Sequence, residues 1–180
     1  LSARDLSDRA LRTLAQRAGA LLLAARRRVA TAESCTGGWV AKCLTDIAGS
    51  SQWFERGYVT YSNLAKEQSI GVAASVIETF GAVSRPTAEQ MAAGALHDSG
   101  ADLAVAITGI AGPDGGTADK PVGLVWFALA QRGAAPLAEQ HQFDGDREAI
   151  RRAAVATALQ LVIAAAQTQA QTQAQTTAPS

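Results

Sequence analysis

Two short stretches of the chain crowd hydroxyls, glycines and ionisable groups together in an order that suits acyl-transfer chemistry. The first is Thr31-Ala32-Glu33-Ser34-Cys35-Thr36-Gly37-Gly38. A short apolar run leads into it and a helical pattern leaves it, so successive backbone N–H groups should converge above a strand end. Such a turn binds anions, and it can also stabilise the oxyanion of an acyl-transfer intermediate. Ser34 stands at its mouth, where a nucleophile belongs. The plainer reading makes Ser34 or Thr36 the N-cap of the next helix. A serine also needs a base. His97 and His141 are the only histidines, one near a helix end and one in a strand beside glutamines, and neither sits in a recognisable motif. A lysine can replace histidine when burial lowers its pKa. Lys66, just beyond Tyr61-Ser62-Asn63, is the better candidate, and Lys42 is its rival.

The second stretch is Thr108-Gly109-Ile110-Ala111-Gly112-Pro113-Asp114-Gly115-Gly116. Its glycines permit close backbone approach to a ligand. It lacks the Lys-Ser/Thr ending of a P-loop and the G-x-G-x-x-G spacing of a dinucleotide fold, and a plain surface loop is the alternative. Arg147, in the first turn of a last helix, could bind a phosphate or pair with Asp144 or Glu148. Asp144 and Asp146 suggest magnesium, but helix capping explains them without a carboxylate cluster. Neither a metal nor a cofactor is expected.

Composition narrows the choice. The 180 residues suit one domain, and 16 Lys+Arg balance 16 Asp+Glu. A zero formal charge argues against a protein drawn generally to nucleic acid or anionic lipid, which leaves a small molecule as the partner. Cys35 and Cys43 provide too few ligands for structural zinc. Eight residues apart on one helix, they would be about 12 Å from each other, too far for a disulfide. Reduced thiols in a cytoplasmic protein are expected. The opening Leu1-Ser2-Ala3-Arg4-Asp5 does not read as a signal peptide, and no apolar run is expected to span a membrane.

The elements that must position these residues follow from periodicity. Leu11, Leu14, Ala18, Leu21 and Leu22 mark one helical face, with Asp5, Ser7 and Asp8 as capping oxygens and Arg26-Arg27-Arg28 as a solvated far end. Val29 to Ala32 reads as a buried strand, Trp39 to Ala48 as a helix, and Trp53 to Ser62 as a strand. Asn63 caps a short helix ending at Gly71, and another ends at Gly81. Pro86 opens a longer helix carrying Ala88, Met91, Ala92, Ala95 and Leu96. Leu103 to Thr108 is a strand covered on both faces; Val122 to Ala130 and Leu137 to Phe143 are two neighbouring strands. A last helix buries Ile150, Ala154, Ala158, Leu161, Val162 and Ala165. The pattern predicts an α/β fold, a three-layer α/β/α sandwich with a mixed sheet, as a single domain over residues 1–166. The Gln/Thr/Ala tail, 167–180, has nothing to bury and is expected to be disordered or frayed helix.

The motifs together resemble the CinA C-terminal domain family. Carrying the resemblance are Thr31 to Gly38, Gly49-Ser50-Ser51, Gly57-Tyr58-Val59-Thr60-Tyr61-Ser62-Asn63 with Lys66, and Gly81-Ala82-Val83-Ser84. Thr108 to Gly116, Pro121-Val122-Gly123 and Gly145-Asp146-Arg147 complete it. It spans roughly Leu6 to Val162, and Trp39 to Lys66 looks most like the family's stand-alone nicotinamide-nucleotide amidases. The resemblance implies hydrolysis of nicotinamide mononucleotide to nicotinate mononucleotide and ammonia. It also implies a Ser/Lys dyad, with Ser34 as nucleophile and Lys66 as base. Tyr61 is placed to assist proton transfer or orient the lysine. Thr36, Gly37 and Gly38 would hold the oxyanion, while Asn63, Thr108, Gly109, Ile110, Gly112, Gly115, Gly116 and Arg147 would position the substrate. Longer members carry an additional N-terminal domain, for which too few residues precede Ser34 here. The family's homo-oligomeric habit and the apolar Trp53-Phe54 favour a dimer. The rival readings are a non-catalytic nucleotide-binding or regulatory module, and a different amidase or esterase on the same dyad.

Overall fold

The computed structural model describes residues 6–176. Helix α1 (Asp8–Ala24) is capped by Ser7, whose hydroxyl accepts from the Ala10 N–H. Strand β1 (Val29–Glu33) leads to α2 (Trp39–Thr45), then a 3-10 turn (Ser50–Gln52) and β2 (Phe54–Val59). Three helices follow: α3 (Asn63–Ile70), α4 (Ala74–Phe80) and α5 (Arg85–Ser99). Strands β3 (Leu103–Gly109), β4 (Leu124–Gln131) and β5 (Leu137–Gln142) precede α6 (Arg147–Thr176). Asp5 and residues 177–180 lie outside the described residues. The low-complexity segment continues α6 as helix to Thr176.

The sheet order is β2-β1-β3-β4-β5, with β1 parallel to both β2 and β3, while β4 and β5 run antiparallel. This is the expected mixed α/β architecture. One apolar layer joins α1, α2 and α6 to one face of the sheet through Leu11, Leu22, Val105 and Leu159. The other joins α4 and α5 to the opposite face through Ile77, Met91, Ala104 and Ala128. Each fully buried leucine contributes roughly 2 kcal/mol. Both faces of central β1 and β3 are covered, so β3 reads as an apolar run and β1 as a buried strand interrupted by Thr31 and Glu33.

Four expectations need correction. Arg27 is not on a solvated face: its guanidinium is buried and donates to Gln131 Oε1 at 3.2 Å and the Asp102 carbonyl at 2.8 Å. Arg28 pairs with Glu55 at 2.5 Å. Trp53 is not an exposed contact surface but a core side chain beneath α1. Its indole fits there because Gly19 has no Cβ; one would stand 2.5 Å from Trp53 Cζ2. That removes the apolar argument for a dimer. The cap of α3 is Ser62 rather than Asn63, its hydroxyl accepting from the Ala65 N–H. Finally, Arg147–Gln167 of α6 is long and apolar enough to cross a membrane. Its apolar side chains pack instead against α1 and the sheet, as in a core helix.

Candidate active site

Three parallel strands end on the same edge of the sheet, and the loops leaving them build one cleft. This is the usual ligand position in an open α/β sheet. Ser34 follows β1 directly, and its N–H donates to the Ile107 carbonyl of β3 at 2.9 Å. Beyond β2, the Thr60 N–H donates to the Glu33 carbonyl at 2.8 Å, so the chain on either side of Ser34 is held by both neighbours. Lys66 sits in the first turn of α3, which Ser62 starts and Gly71 stops in a left-handed conformation. Its side chain turns inward and is only 1% exposed.

The Lys66 Nζ donates to Ser34 Oγ at 3.1 Å, to the Thr60 carbonyl at 2.8 Å and, at 3.4 Å, to the Tyr61 carbonyl. Burial lowers its pKa from 10.5 to about 8, because desolvation penalises the ammonium. The rival bases lie elsewhere. Lys42 is exposed and paired with Asp46, His141 bonds Glu139 on β5, and His97 lines a separate cleft at the far end of α5.

Ser34, Tyr61, Asn63, Lys66, Thr108, Gly109, Ile110, Gly112, Gly115 and Arg147 all line one open cleft of about 270 Å³. Cys35, Ala82, Val83, Ala111 and Asp114 complete its wall. The Thr108 hydroxyl donates to the Ala82 carbonyl at 2.8 Å, tying the glycine loop to the start of α5. Gly116 packs against Val122 instead of facing the cleft. Arg147 pairs with neither Asp144 nor Glu148. It donates to the Gly112 carbonyl at 2.6 Å and to the Tyr61 hydroxyl at 3.0 Å. The Tyr61 side chain thus faces the arginine, and it is the Tyr61 main chain that touches the lysine. Asp146 caps α6, its carboxylate accepting from the Ala149 N–H at 2.8 Å.

The turn after Ser34 differs from its expected form. Neither Ser34 nor Thr36 caps α2. Buried Glu33 does so, its carboxylate accepting from the N–H groups of Gly38 and Val40 at 3.0 Å and of Ala41 at 2.8 Å. Gly37 and Gly38, at φ of +62° and +93°, bend the chain so that these donors reach back to it. The Gly37 N–H donates to the Ser34 carbonyl at 3.0 Å. The donors of Gly37 and Gly38 are therefore already occupied, while those of Cys35 and Thr36 have no main-chain acceptor within the described residues, and the Cys35 N–H meets only its own sulfur. Gly37 and Gly38 open onto another cleft of about 790 Å³ between α1, α2 and α6. That cleft is larger, but the Cys43 thiol in its wall is pushed up to a pKa of about 11 by burial, and its Lys42 and Arg152 are paired with carboxylates.

Sequence reasoning missed Glu33, the Ala82-Val83 wall and Arg151, which donates to the carbonyls of Cys35 and Thr36. Glu33 had a signal, as the single charged residue of a strand buried at all five positions. Arg151 had none, since its partners are main-chain atoms more than a hundred residues away.

A family model described as the CinA C-terminal domain matches residues 11–166. The nicotinamide-nucleotide amidohydrolase PncC of Escherichia coli (strain K12) is 56% identical over 155 residues, which cover 86% of this chain and 94% of that protein. Its namesake in Enterobacter agglomerans is 52% identical over 158 residues, covering 88% and 96%. Among solved structures, the competence/damage inducible protein CihA from Agrobacterium tumefaciens is similar with a TM-score of 0.83 at 50% identity. That match covers 88% of this chain and 95% of CihA.

Proposed function

The chain belongs to the CinA C-terminal domain family, and from that premise we propose that it hydrolyses nicotinamide mononucleotide to nicotinate mononucleotide and ammonia through a Ser34–Lys66 dyad. The observation that carries the reading is the 3.1 Å contact between Lys66 Nζ and Ser34 Oγ, inside a pocket that lowers the lysine pKa to about 8. About a tenth of the lysines are then neutral near pH 7, against well under a thousandth for an ordinary lysine. A neutral amine keeps its two N–H groups on the carbonyls of Thr60 and Tyr61, which leaves its lone pair facing the serine hydroxyl.

The steps follow from that arrangement. Ser34 Oγ adds to the carboxamide carbon as its proton passes to Lys66. The tetrahedral oxyanion collapses, the C–N bond breaks, and the lysine ammonium returns the proton to the departing ammonia. Water then adds to the acyl-enzyme ester, deprotonated by the neutral lysine, and nicotinate mononucleotide leaves as Ser34 regains its proton. Arg147 carries a positive charge at the cleft without an ion-pair partner among the described residues, and it faces the substrate phosphate. The glycine loop after Thr108 fits around the ribose. Contacts remote from the carboxamide thereby orient the reacting carbon.

Ammonia release from nicotinamide mononucleotide, nicotinamide riboside and NAD tests the reading. The mononucleotide should be turned over, the riboside poorly because it offers Arg147 no phosphate, and Ser34→Ala should bind the mononucleotide without releasing ammonia. Undiminished release by Ser34→Ala would remove the nucleophile from the scheme. Nucleotide binding by the wild type with no ammonia at all would favour a non-catalytic module.

A further inference from the structure

Arg151 lies one turn after Arg147 on α6, yet it does not line the cleft that holds Ser34. It approaches the serine loop from behind, where its guanidinium packs 5.3 Å from the centre of the Trp39 ring. Its Nε donates to the Cys35 carbonyl at 3.0 Å and one terminal nitrogen to the Thr36 carbonyl at 2.9 Å. One rigid cation thus holds two consecutive peptide units beside the nucleophile. In a planar trans peptide the N–H points opposite to the carbonyl. The unit that presents the Cys35 carbonyl to Arg151 therefore directs the Thr36 N–H away from α6. The next unit presents the Thr36 carbonyl to Arg151 and sends the Gly37 N–H to the Ser34 carbonyl. That bond in turn fixes the Ser34–Cys35 peptide and the direction of the Cys35 N–H.

We infer that Arg151 is a positioning residue that pre-organises an oxyanion site formed by the N–H groups of Cys35 and Thr36. The inference rests on the reading of Ser34 as nucleophile. Neither donor has a main-chain acceptor within the described residues, the Cys35 N–H meeting only its own sulfur, whereas those of Gly37 and Gly38 are occupied by Ser34 and Glu33. A charged donor on a carbonyl also polarises the N–H of the same peptide, making it a stronger donor to developing negative charge. Because Arg151 faces the opposite side of the loop, it does not touch the substrate. It acts only through the peptides it holds.

The test compares Arg151→Met and Arg151→Lys with the wild type, using the full chain and nicotinamide mononucleotide as substrate. Arg151→Met should lower kcat about a hundredfold, the scale of a misplaced or lost oxyanion donor, and leave KM within about threefold. Arg151→Lys, with one cationic donor able to reach a carbonyl, should recover roughly a tenth of wild-type kcat. A purely structural clamp would lower the melting temperature and leave kcat unchanged well below it; a phosphate ligand would raise KM. Either result overturns the inference. If the methionine variant does not fold, the lysine variant decides alone, and a wild-type kcat there is the overturning result. Absence of ammonia from the wild type, or its persistence in Ser34→Ala, would strike the underlying function. Turnover by the wild type with unaffected Arg151 variants would strike this inference only.

Discussion

Replacing Lys66 by methionine should make the protein inactive and, near neutral pH, more stable. Lys66 is 1% exposed, and burial draws its pKa from 10.5 to about 8. That lowering corresponds to about 3 kcal/mol of destabilisation whenever the amine is protonated in both folded and unfolded states. The unfolded chain holds the extra proton between about pH 8 and about pH 10.5, so stability rises with pH through that window. Below it the full deficit persists. Methionine is of similar length and carries no charge, so the deficit disappears. The substitution also leaves the Thr60 carbonyl and the Ser34 hydroxyl without their donor. Those unmade bonds cost roughly 1–2 kcal/mol together. A net gain of about 1–2 kcal/mol remains, or roughly 3–6 °C in melting temperature for a chain of this size. Calorimetry of both proteins across pH provides the measurement. About 1.3 kcal/mol of the difference should vanish between about pH 7 and about pH 9 as the wild type sheds its buried proton. A methionine variant that melts below the wild type near pH 7, by a margin indifferent to pH, would refute the picture of a strained amine at position 66.

The same amine sets the pH dependence of turnover: kcat/KM should rise about tenfold per pH unit below about pH 8 and level off above it, and a profile flat from about pH 6 to 9 would exclude Lys66 as the base. Arg147→Met should raise KM for the mononucleotide at least tenfold while sparing the riboside, because only the phosphate loses its partner; equal losses for both substrates, read by ammonia release, would place the phosphate elsewhere. Glu33→Gln should destabilise the fold by about 2–3 kcal/mol in urea denaturation, since an amide cannot accept all three N–H groups that now converge on the carboxylate. A change below about 0.5 kcal/mol would show that this cap is dispensable.

Local pattern carried the architecture a long way. Apolar runs such as Leu103 to Thr108 have one good solution, a strand buried on both faces, and glycines at 71, 81 and 100 end helices where a left-handed or otherwise positive φ is needed. Local pattern offered Lys66 as a candidate base for Ser34 because it follows a strand end, and the family resemblance implied the pair; the structure brings the two together because β1 and β2 are adjacent and parallel. What escaped depends on partners remote in sequence. Nothing local distinguishes the buried Arg27 from Arg26 and Arg28; only Asp102 and Gln131 do. Trp53 looks like a surface aromatic until Gly19 on another helix supplies its slot. The turn after Ser34 misled for a subtler reason. Serine and threonine are the usual caps, and a glutamate that reaches forward to α2 requires two consecutive residues with positive φ, a backbone choice that side-chain statistics do not encode.

The cleft takes its reacting groups from the ends of three strands and the start of a helix beyond the second, with β1 in the middle and β3 joined to it across some seventy intervening residues. A fragment that stops before β3 lacks the Ile107 carbonyl that anchors the Ser34 backbone, and so lacks the geometry on which the proposed chemistry depends. On the proposed mechanism a nascent or half-collapsed chain should therefore show no turnover. If Ser34 is the nucleophile proposed above, regained turnover in a refolding experiment should trail the return of helical signal, since the long-range pairing that completes the sheet comes after local helix formation.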